Sequence, residues 1–379
     1  MSFSDGMNGK NCAGNTILIE FSGILWYNLN LVMQISRIFL HNFRNYERCT
    51  FEFESGINVI VGPNGIGKTN LLEGIAYLSM ARSFRGVKDS ELVRWGQRGF
   101  DLKGVVESSF TNHLLEVHYH DGRKNFLIDG KKVDTFGDIF KFFVALVVTA
   151  RDQGIVDGPP EERRRNLDYF GSYYDPAYYQ LLMDYRKALK EKNALLKKNP
   201  PIEHVIPWNL KLLEIGEEIV SARERLLRMI ENILNLKIRD LGLEGTVEFI
   251  YEPSIEGLKN YTKDLYEEER RVGHSLSGPH RDRITLSYMG YPVNVSASEG
   301  QKRLILLGLI LTEREILGDR MGEVPVLILD EPMSVLGEDK ISMVISSLNG
   351  QVFISSVRHI PGFRAIEPGL VRQGIYGKN

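Results

Sequence analysis

The octapeptide GPNGIGKT, running from Gly62 to Thr69, constrains this chain more than any other stretch. The apolar run INVIV at 57–61 precedes it, and a helical pattern, NLLEGIA at 70–76, follows. Strand, glycine-rich turn, Lys-Thr and helix is the geometry that closes backbone N–H groups around a chain of phosphates. Glycine permits the closure because no Cβ stands between backbone and ligand, and the helix N-terminus adds a favourable partial positive charge. Gly62, Pro63, Asn64, Gly65, Ile66 and Gly67 form the candidate cradle. Lys68 is the expected partner of the β- and γ-phosphates, and Thr69 is the expected hydroxyl ligand of Mg²⁺. The segment predicts a protein that binds ATP or GTP.

Composition sets the frame. With 379 residues, 43% apolar and 25% charged, the chain can bury a large core and is expected to fold as two domains. A net charge of −2 provides no global positive field, so any nucleic-acid contact must come from local patches. Cys12 and Cys49 have no metal-ligand spacing and suit a reducing, cytoplasmic compartment. The first 32 residues stand apart. Their apolar run at 17–25 is broken by Glu20, Ser22 and Gly23, and only Lys10 lies ahead of it, which makes a poor signal peptide and too short a span. Clean alternation starts with MQISRIFL at 33–40. Residues 1–32 are therefore expected to be a non-native or disordered extension ahead of Met33, with no membrane association.

Periodicity divides the remainder. Strands are predicted over 34–40, 50–54, 58–61, 102–108, 114–119 and 125–128, with Asp121-Gly122 and Asp129-Gly130 as hairpin turns. The run 144–148 suits a strand buried on both faces. From 161 to about 241 the period becomes helical, over 163–169, 177–198 and 208–240, with Pro200-Pro201 breaking the last two. Leu210, Leu213, Val220, Leu227, Ile230 and Leu234 give the third helix an apolar seam, which predicts an antiparallel pair standing out as an arm or lid. Strands resume over 247–251, 284–288, 324–329 and 351–355, and a helix is expected over 301–316.

A second set of functional residues lies near the other end. VLILDE at 326–331 is a hydrophobic strand ending in two carboxylates, with Asp330 suited to Mg²⁺ and Glu331 to polarising an attacking water. Ser298, Gly300 and Gln301 open a helix whose N-terminus suits an anion. Glycine loop first, S-x-G-Q next and acidic strand last is the order of the ABC-type ATPases, and Ser334-Val335-Leu336-Gly337 falls where those proteins carry a D-loop.

Five segments narrow the resemblance: LHNFRNY at 40–46, ARSFR at 81–85, ERRRNLD at 162–168, YRKALKEKNALL at 185–196 and SGPHRD at 277–282. Together they resemble the RecF family, within the SMC and RecF group of ATPases, from about residue 33 to 355. The resemblance implies an α/β ABC-type head with mixed and parallel sheets, built from 33–160 and 271–379. An inserted helical arm, 161–270, separates the halves. It further implies ATP and Mg²⁺ as cofactors, with Lys68, Thr69 and Asp330 in one subunit and Ser298, Gly300 and Gln301 of another completing the site. The implied activity is a slow, DNA-stimulated ATPase acting as an ATP-dependent homodimer. Implied partners are single-stranded, gapped and duplex DNA and the mediators RecR and RecO, in replication, recombinational repair and SOS induction.

The chain departs from the family's pattern at four places. Arg283 follows H-R-D where an acid is usual, Gly337 replaces the D-loop Asp, and Thr149-Ala150-Arg151-Asp152 replaces a Pro-Glu-Asp-like segment. No histidine directly follows the strand 351–355, so Ser355, Ser356 and His359 all remain open as the γ-phosphate switch. For DNA, the candidate basic clusters are Arg82, Arg85, Lys88, Arg94 and Arg98, and Arg163 to Arg165; solvated or structural roles are the ordinary reading of such clusters. Arg281 is expected to lock the arm through a carboxylate. Rival readings are a longer-armed SMC-type ATPase, disfavoured by the short insertion, and the ATPase subunit of an ABC transporter, which would lack F-R-N-Y and S-G-P-H-R-D.

Overall fold

Two sheets enclose the helix that follows the glycine-rich loop. The structure, a computed structural model, describes residues 18–21, 24–27, 31–108, 111–133, 136–331, 345 and 348–369. The helix Lys68–Met80 is buried almost all round, from Leu71 to Ser79, because it packs on one sheet with each side.

The first sheet is antiparallel. Its strand order is Lys131–Lys132, Arg123–Ile128, Asn112–His120, Gly99–Glu107, Gln34–Phe43, Tyr46–Glu52. Alternation sends Ile38, Leu40, Leu102 and Val117 into the core and leaves polar residues on the other face. Asp121-Gly122 and Asp129-Gly130 turn the hairpins with both residues at positive φ, as the sequence predicts. Four of these strands extend two or three residues beyond one expected boundary, because the residues there still pair, and the strand expected over 50–54 lies at Tyr46–Glu52.

The second sheet is parallel, in the order Ala145–Thr149, Val326–Asp330, Val352–Ser356, Ile57–Val61, Arg364–Ile366. Sequence reading missed the last strand, whose three residues are too few to show a period. The C-terminal ends of these strands share one edge, where ligands of open parallel sheets bind. Gln351 fastens the two sheets together: its buried side chain accepts from Ile35 N at 2.8 Å and donates to Ile35 O and Glu54 O, both at 2.9 Å.

The insertion consists of helices Pro160–Tyr174, Pro176–Leu196, Ile202–Asp240 and Lys263–Val272, with a three-stranded sheet of Val247–Glu252, Arg283–Tyr288 and Tyr291–Pro292 at its base. The long helix starts at Ile202, six residues before the predicted boundary, and carries Pro207 inside it. The missing N–H costs one bond near the first turns, where the helix absorbs it. The inner half of this helix is not a free arm. It packs on the helix Glu299–Met321, and a Cβ at Gly308 would meet Ile238 Cγ2 at 2.6 Å. Only the outer end has a core of its own, Leu196, Val205 and Tyr266.

Of the first 32 residues, Leu18–Phe21 pairs with Ile24–Tyr27, and Leu31–Val32 runs parallel to Glu323–Val324. Cys12 and the D-loop position Gly337 lie outside the described residues. Among the described residues no helix is long and apolar enough to cross a membrane.

Candidate nucleotide site

The strand Ile57–Val61 delivers the glycine-rich loop to the ligand edge of the parallel sheet, and the enclosed helix begins at Lys68. Gly67 caps that helix in the left-handed region at φ 117, and a Cβ there would lie 2.7 Å from Asn45 Nδ2 and 2.8 Å from Tyr46 OH. Conformation and space both require glycine. The neighbours that crowd Gly67 also hold the loop: Asn45 donates to Ile66 O at 3.3 Å, Tyr46 OH donates to Gly67 O at 3.0 Å, and Asn70 donates to Asn45 Oδ1 at 3.0 Å. Sequence reading gave Asn45 and Tyr46 no such role, although both lie in the segment LHNFRNY at 40–46 that carries the resemblance. The buried Lys68 ammonium donates to the loop carbonyls of Gly62 at 2.7 Å and Pro63 at 3.2 Å, and lies 3.8 Å from Glu331 Oε1.

Residues 261 positions apart meet here. Thr69 Oγ1 donates to Asp330 Oδ1 at 3.0 Å. Ser355 Oγ donates to the same oxygen at 2.8 Å and accepts the Glu331 amide at 2.8 Å. Glu331 holds a left-handed backbone at φ 51, which turns the chain out of the sheet just after Asp330. Of the three candidate switch residues, Ser355 alone bonds to this acid pair. Ser356 Oγ donates to Arg358 O at 2.6 Å, and His359 lies 3.4 Å from Glu367. Thr149 stands beside Asp330 in register and forms a capping box with Asp152, so Thr149–Asp152 is a turn at the site's edge.

The S-x-G-Q cap forms as predicted, but elsewhere. Ser298 Oγ accepts from Gln301 N, Gln301 Oε1 accepts from Ser298 N at 2.8 Å, and Ser298 is exposed. Among the described residues no hydrogen bond or ion pair joins 298–301 to the loop 62–69. The structure brings together Lys68, Thr69, Asp330 and Glu331 and leaves Ser298, Gly300 and Gln301 unbonded to them, with Ser298 exposed and the other two half-buried.

The other motif segments anchor this arrangement. Glu73 on the enclosed helix is fully buried and takes a two-pronged bond from Arg44, at 2.7 and 3.0 Å, and one from Ser83 at 2.5 Å. FRNY and ARSFR therefore meet on one carboxylate. Arg85 lies 3.9 Å from Glu73, Arg94 pairs with Glu47 at 3.0 Å, and Arg82 lies over the Tyr169 ring at 4.1 Å. Lys88 and Arg98 remain exposed. In the second cluster Arg163 donates to Ile284 O at 2.6 Å, Arg164 donates to Asp282 O, and Arg165 pairs with Glu161 and Glu162. That cluster is structural.

The carboxylate lock expected of Arg281 belongs to a different arginine. Arg281 is exposed and meets His274 at 3.2 Å, whereas Arg223 reaches Asp282 at 2.6 Å and Asp168 at 3.0 Å. Arg281 follows the turn at Gly278 and points away, while the long helix carries Arg223 into the core. Burial pushes the neighbouring His280 down to about 4, and its Nδ1 pairs with Tyr185 OH at 2.8 Å. Arg283, the departure after H-R-D, faces Glu252 at 3.9 Å.

Known proteins share this architecture. Residues 34–360 match the RecF/RecN/SMC N terminal domain, which places the chain in that class of ATPase-type head. It is 35% identical to the DNA replication and repair protein RecF of Caldanaerobacter subterraneus subsp. tengcongensis, over 85% of this chain and 94% of that one. It is 34% identical to the RecF of Carboxydothermus hydrogenoformans, over 86% and 95%. A solved RecF with ATP, a recombination mediator protein in the RecFOR pathway, superposes with a TM-score of 0.82 at 33% identity, covering 89% of this chain and 98% of that one. An Smc head domain from Pyrococcus furiosus shares the fold, with a TM-score of 0.51 at 17% identity. The chain belongs to the RecF family of DNA replication and repair proteins.

Proposed function

We propose that this chain is a slow ATPase whose nucleotide-bound form pairs with a second copy and holds DNA. The carrying observation is the 3.0 Å bond from Thr69 to Asp330, which unites the glycine loop and the acid strand without any contribution from S-x-G-Q. A head whose anion-binding cap makes no bond to its own loop, among the described residues, is suited to completing the loop of a partner. Ser298, Gly300 and Gln301 of one copy then meet the γ-phosphate held by Lys68 of the other.

The chemistry is phosphoryl transfer to water by positioning and charge neutralisation. Gly62, Pro63, Asn64, Gly65, Ile66 and Gly67 wrap the phosphates, and Lys68 leaves its carbonyl partners for the β- and γ-oxygens. Glu331 orients the attacking water. Thr69 and Asp330 present hard oxygens 3.0 Å apart, a donor set that fits Mg²⁺, which when bound neutralises charge on the phosphates. DNA contact rests on the exposed Lys88 and Arg98 rather than on Arg163 to Arg165. Family membership supports single-stranded, gapped and duplex DNA as ligands, RecR- and RecO-type partners, and a place in recombinational repair and SOS induction.

Sizing of the full chain with and without ATP tests the reading. A shift from monomer to dimer that needs ATP supports it; a mass unchanged by saturating ATP overturns the shared site. Hydrolysis measured with and without gapped DNA then tests the enzyme: stimulation is expected, and a complete absence of turnover would leave only an ATP-gated clamp.

A further inference from the structure

On the outward face of the antiparallel sheet, remote in function from the nucleotide edge, three histidines converge on one carboxylate. The register sets His41 opposite Asp101 and Asp101 opposite His118, so the three form a row across three strands. His120 follows His118 by two residues and therefore shares its face. His41 Nδ1 lies 2.9 Å from Asp101 Oδ2, while His118 Nδ1 and His120 Nε2 lie 2.7 and 2.9 Å from Oδ1. Behind the row, Leu40, Leu102 and Val117 are fully buried, which fixes the strands that carry it.

The backbone makes room for this cluster. His120 stands opposite Gly99, and a Cβ at that position would lie 2.2 Å from His120 Nδ1 and 2.1 Å from Tyr119 O. No other residue at 99 would leave the imidazole where it is. Asp101 is the least exposed member, at 17%, against 33 to 49% for the three rings. The donor set is a carboxylate and accessible ring nitrogens on a rigid support.

We propose that His118 Nδ1, His120 Nε2 and Asp101 Oδ1 form a site for a divalent transition ion, Zn²⁺ above all, that staples two neighbouring strands. The three ligand atoms lie within 4.8 Å of one another. Ligands bound to zinc at their usual lengths stand roughly 3.4 Å apart in a tetrahedron, so the two nitrogens, now 2.7 and 2.9 Å from Oδ1, must each draw back by about half an ångström or slightly more. Imidazole with carboxylate suits Zn²⁺ over Mg²⁺ or Ca²⁺, which prefer oxygen alone. On binding, each coordinating nitrogen offers its lone pair to the metal while the other nitrogen of the neutral ring carries the proton, and Asp101 exchanges accepted hydrogen bonds for the metal. His41 stays on Oδ2 and orients the carboxylate. Solvent fills the fourth position.

The test uses the full, tag-free chain, stripped with EDTA and dialysed, then titrated with ZnCl₂ against a chromophoric chelator without nucleotide or Mg²⁺. One zinc per chain is expected, with a higher melting temperature. The double variant His118→Ala, His120→Ala should lose the saturable uptake. Asp101→Asn, close to isosteric and therefore safe for folding, should weaken it, and His41→Ala should weaken it about tenfold as an orienting residue. His113→Ala, which removes a histidine paired with Asp129 elsewhere on the sheet, should change nothing. Absence of saturable zinc uptake by the unaltered chain overturns the proposal, as does unchanged stoichiometry and affinity in both the double variant and Asp101→Asn.

Discussion

Ser355 donates its hydroxyl to Asp330 at 2.8 Å while accepting the amide of Glu331 at the same distance. One buried side chain thereby sets the position of both acids. Ser355→Ala removes these two bonds without adding bulk. ATP affinity should stay nearly unchanged, because the glycine loop is untouched. Turnover should fall about tenfold, the equivalent of roughly 1.4 kcal/mol of lost positioning. Steady-state hydrolysis beside equilibrium nucleotide binding checks this, and an equal loss in both would assign Ser355 to binding instead.

The loop and the cap should fail in different ways. Lys68→Met removes the only cation within the glycine loop and should abolish both nucleotide binding and ATP-dependent pairing. Gln301→Glu keeps an acceptor for the Ser298 amide, so the helix cap and the thermal stability should hold. In the proposed shared site it would place a negative charge toward a partner's γ-phosphate, so binding should persist while pairing is lost. Normal ATP-dependent dimerisation of Gln301→Glu would sink the composite site.

The arm is held by a buried ion network rather than by its apolar seam alone. Arg223 bonds to Asp282 at 2.6 Å and to Asp168 at 3.0 Å, and Asp282 is fully buried. Arg223→Met keeps most of the volume but leaves Asp282 with no cation. Breaking one side of such a pair costs about 3–5 kcal/mol, so denaturant unfolding should show a loss of that order. The double variant Arg223→Met, Asp282→Asn should recover part of it, since the stranded charge is gone.

Trp95 is 97% exposed and lies between Arg94 and Arg98 in a chain with three tryptophans. If DNA crosses this surface, Trp95 fluorescence should change on adding gapped DNA, and Trp95→Ala should abolish that change. Arg98→Ala should weaken binding to all sequences alike and reduce the slope of affinity against salt by about one. A salt-independent affinity would remove the phosphate-tracking surface from the account.

What the sequence revealed follows how local each feature is. GPNGIGKT and VLILDE carry their own strand and turn signals, so Lys68, Thr69, Asp330 and Glu331 were identifiable before any fold was known. Asn45 and Tyr46 were not, and Ser355 stood only as one of three open candidates beside Ser356 and His359, because their work depends on which residues the sheets bring beside them. Arg223 was hidden for the same reason: on the long helix it reads as one more charged residue, and only the docking of SGPHRD shows it to be buried. Pro207 misplaced a helix start because proline is usually a boundary. Arg281 was misassigned because spacing cannot tell which side of a turn a side chain leaves from.

Glu313 sits inside the helix that begins at the S-x-G-Q cap, and burial raises its carboxyl from 4.5 to about 8, although Asn166 donates to it at 2.6 Å. The folded state therefore favours the protonated form. Below about pH 4.5 folded and unfolded chains are both protonated at this group, and its contribution to stability is fully present. Between 4.5 and about 8 the unfolded chain ionises first, so stability declines as pH rises, and above 8 the decline from this group ends. Glu313→Gln keeps the acceptor for Asn166 and removes the titration. The variant should match the parent near pH 4.5 and become progressively more stable relative to it up to pH 8, gaining about 1.4 kcal/mol for each pH step of one across that window. Melting temperatures of both proteins across that range decide the matter: a constant difference would mean that Glu313 is ionised in the fold throughout.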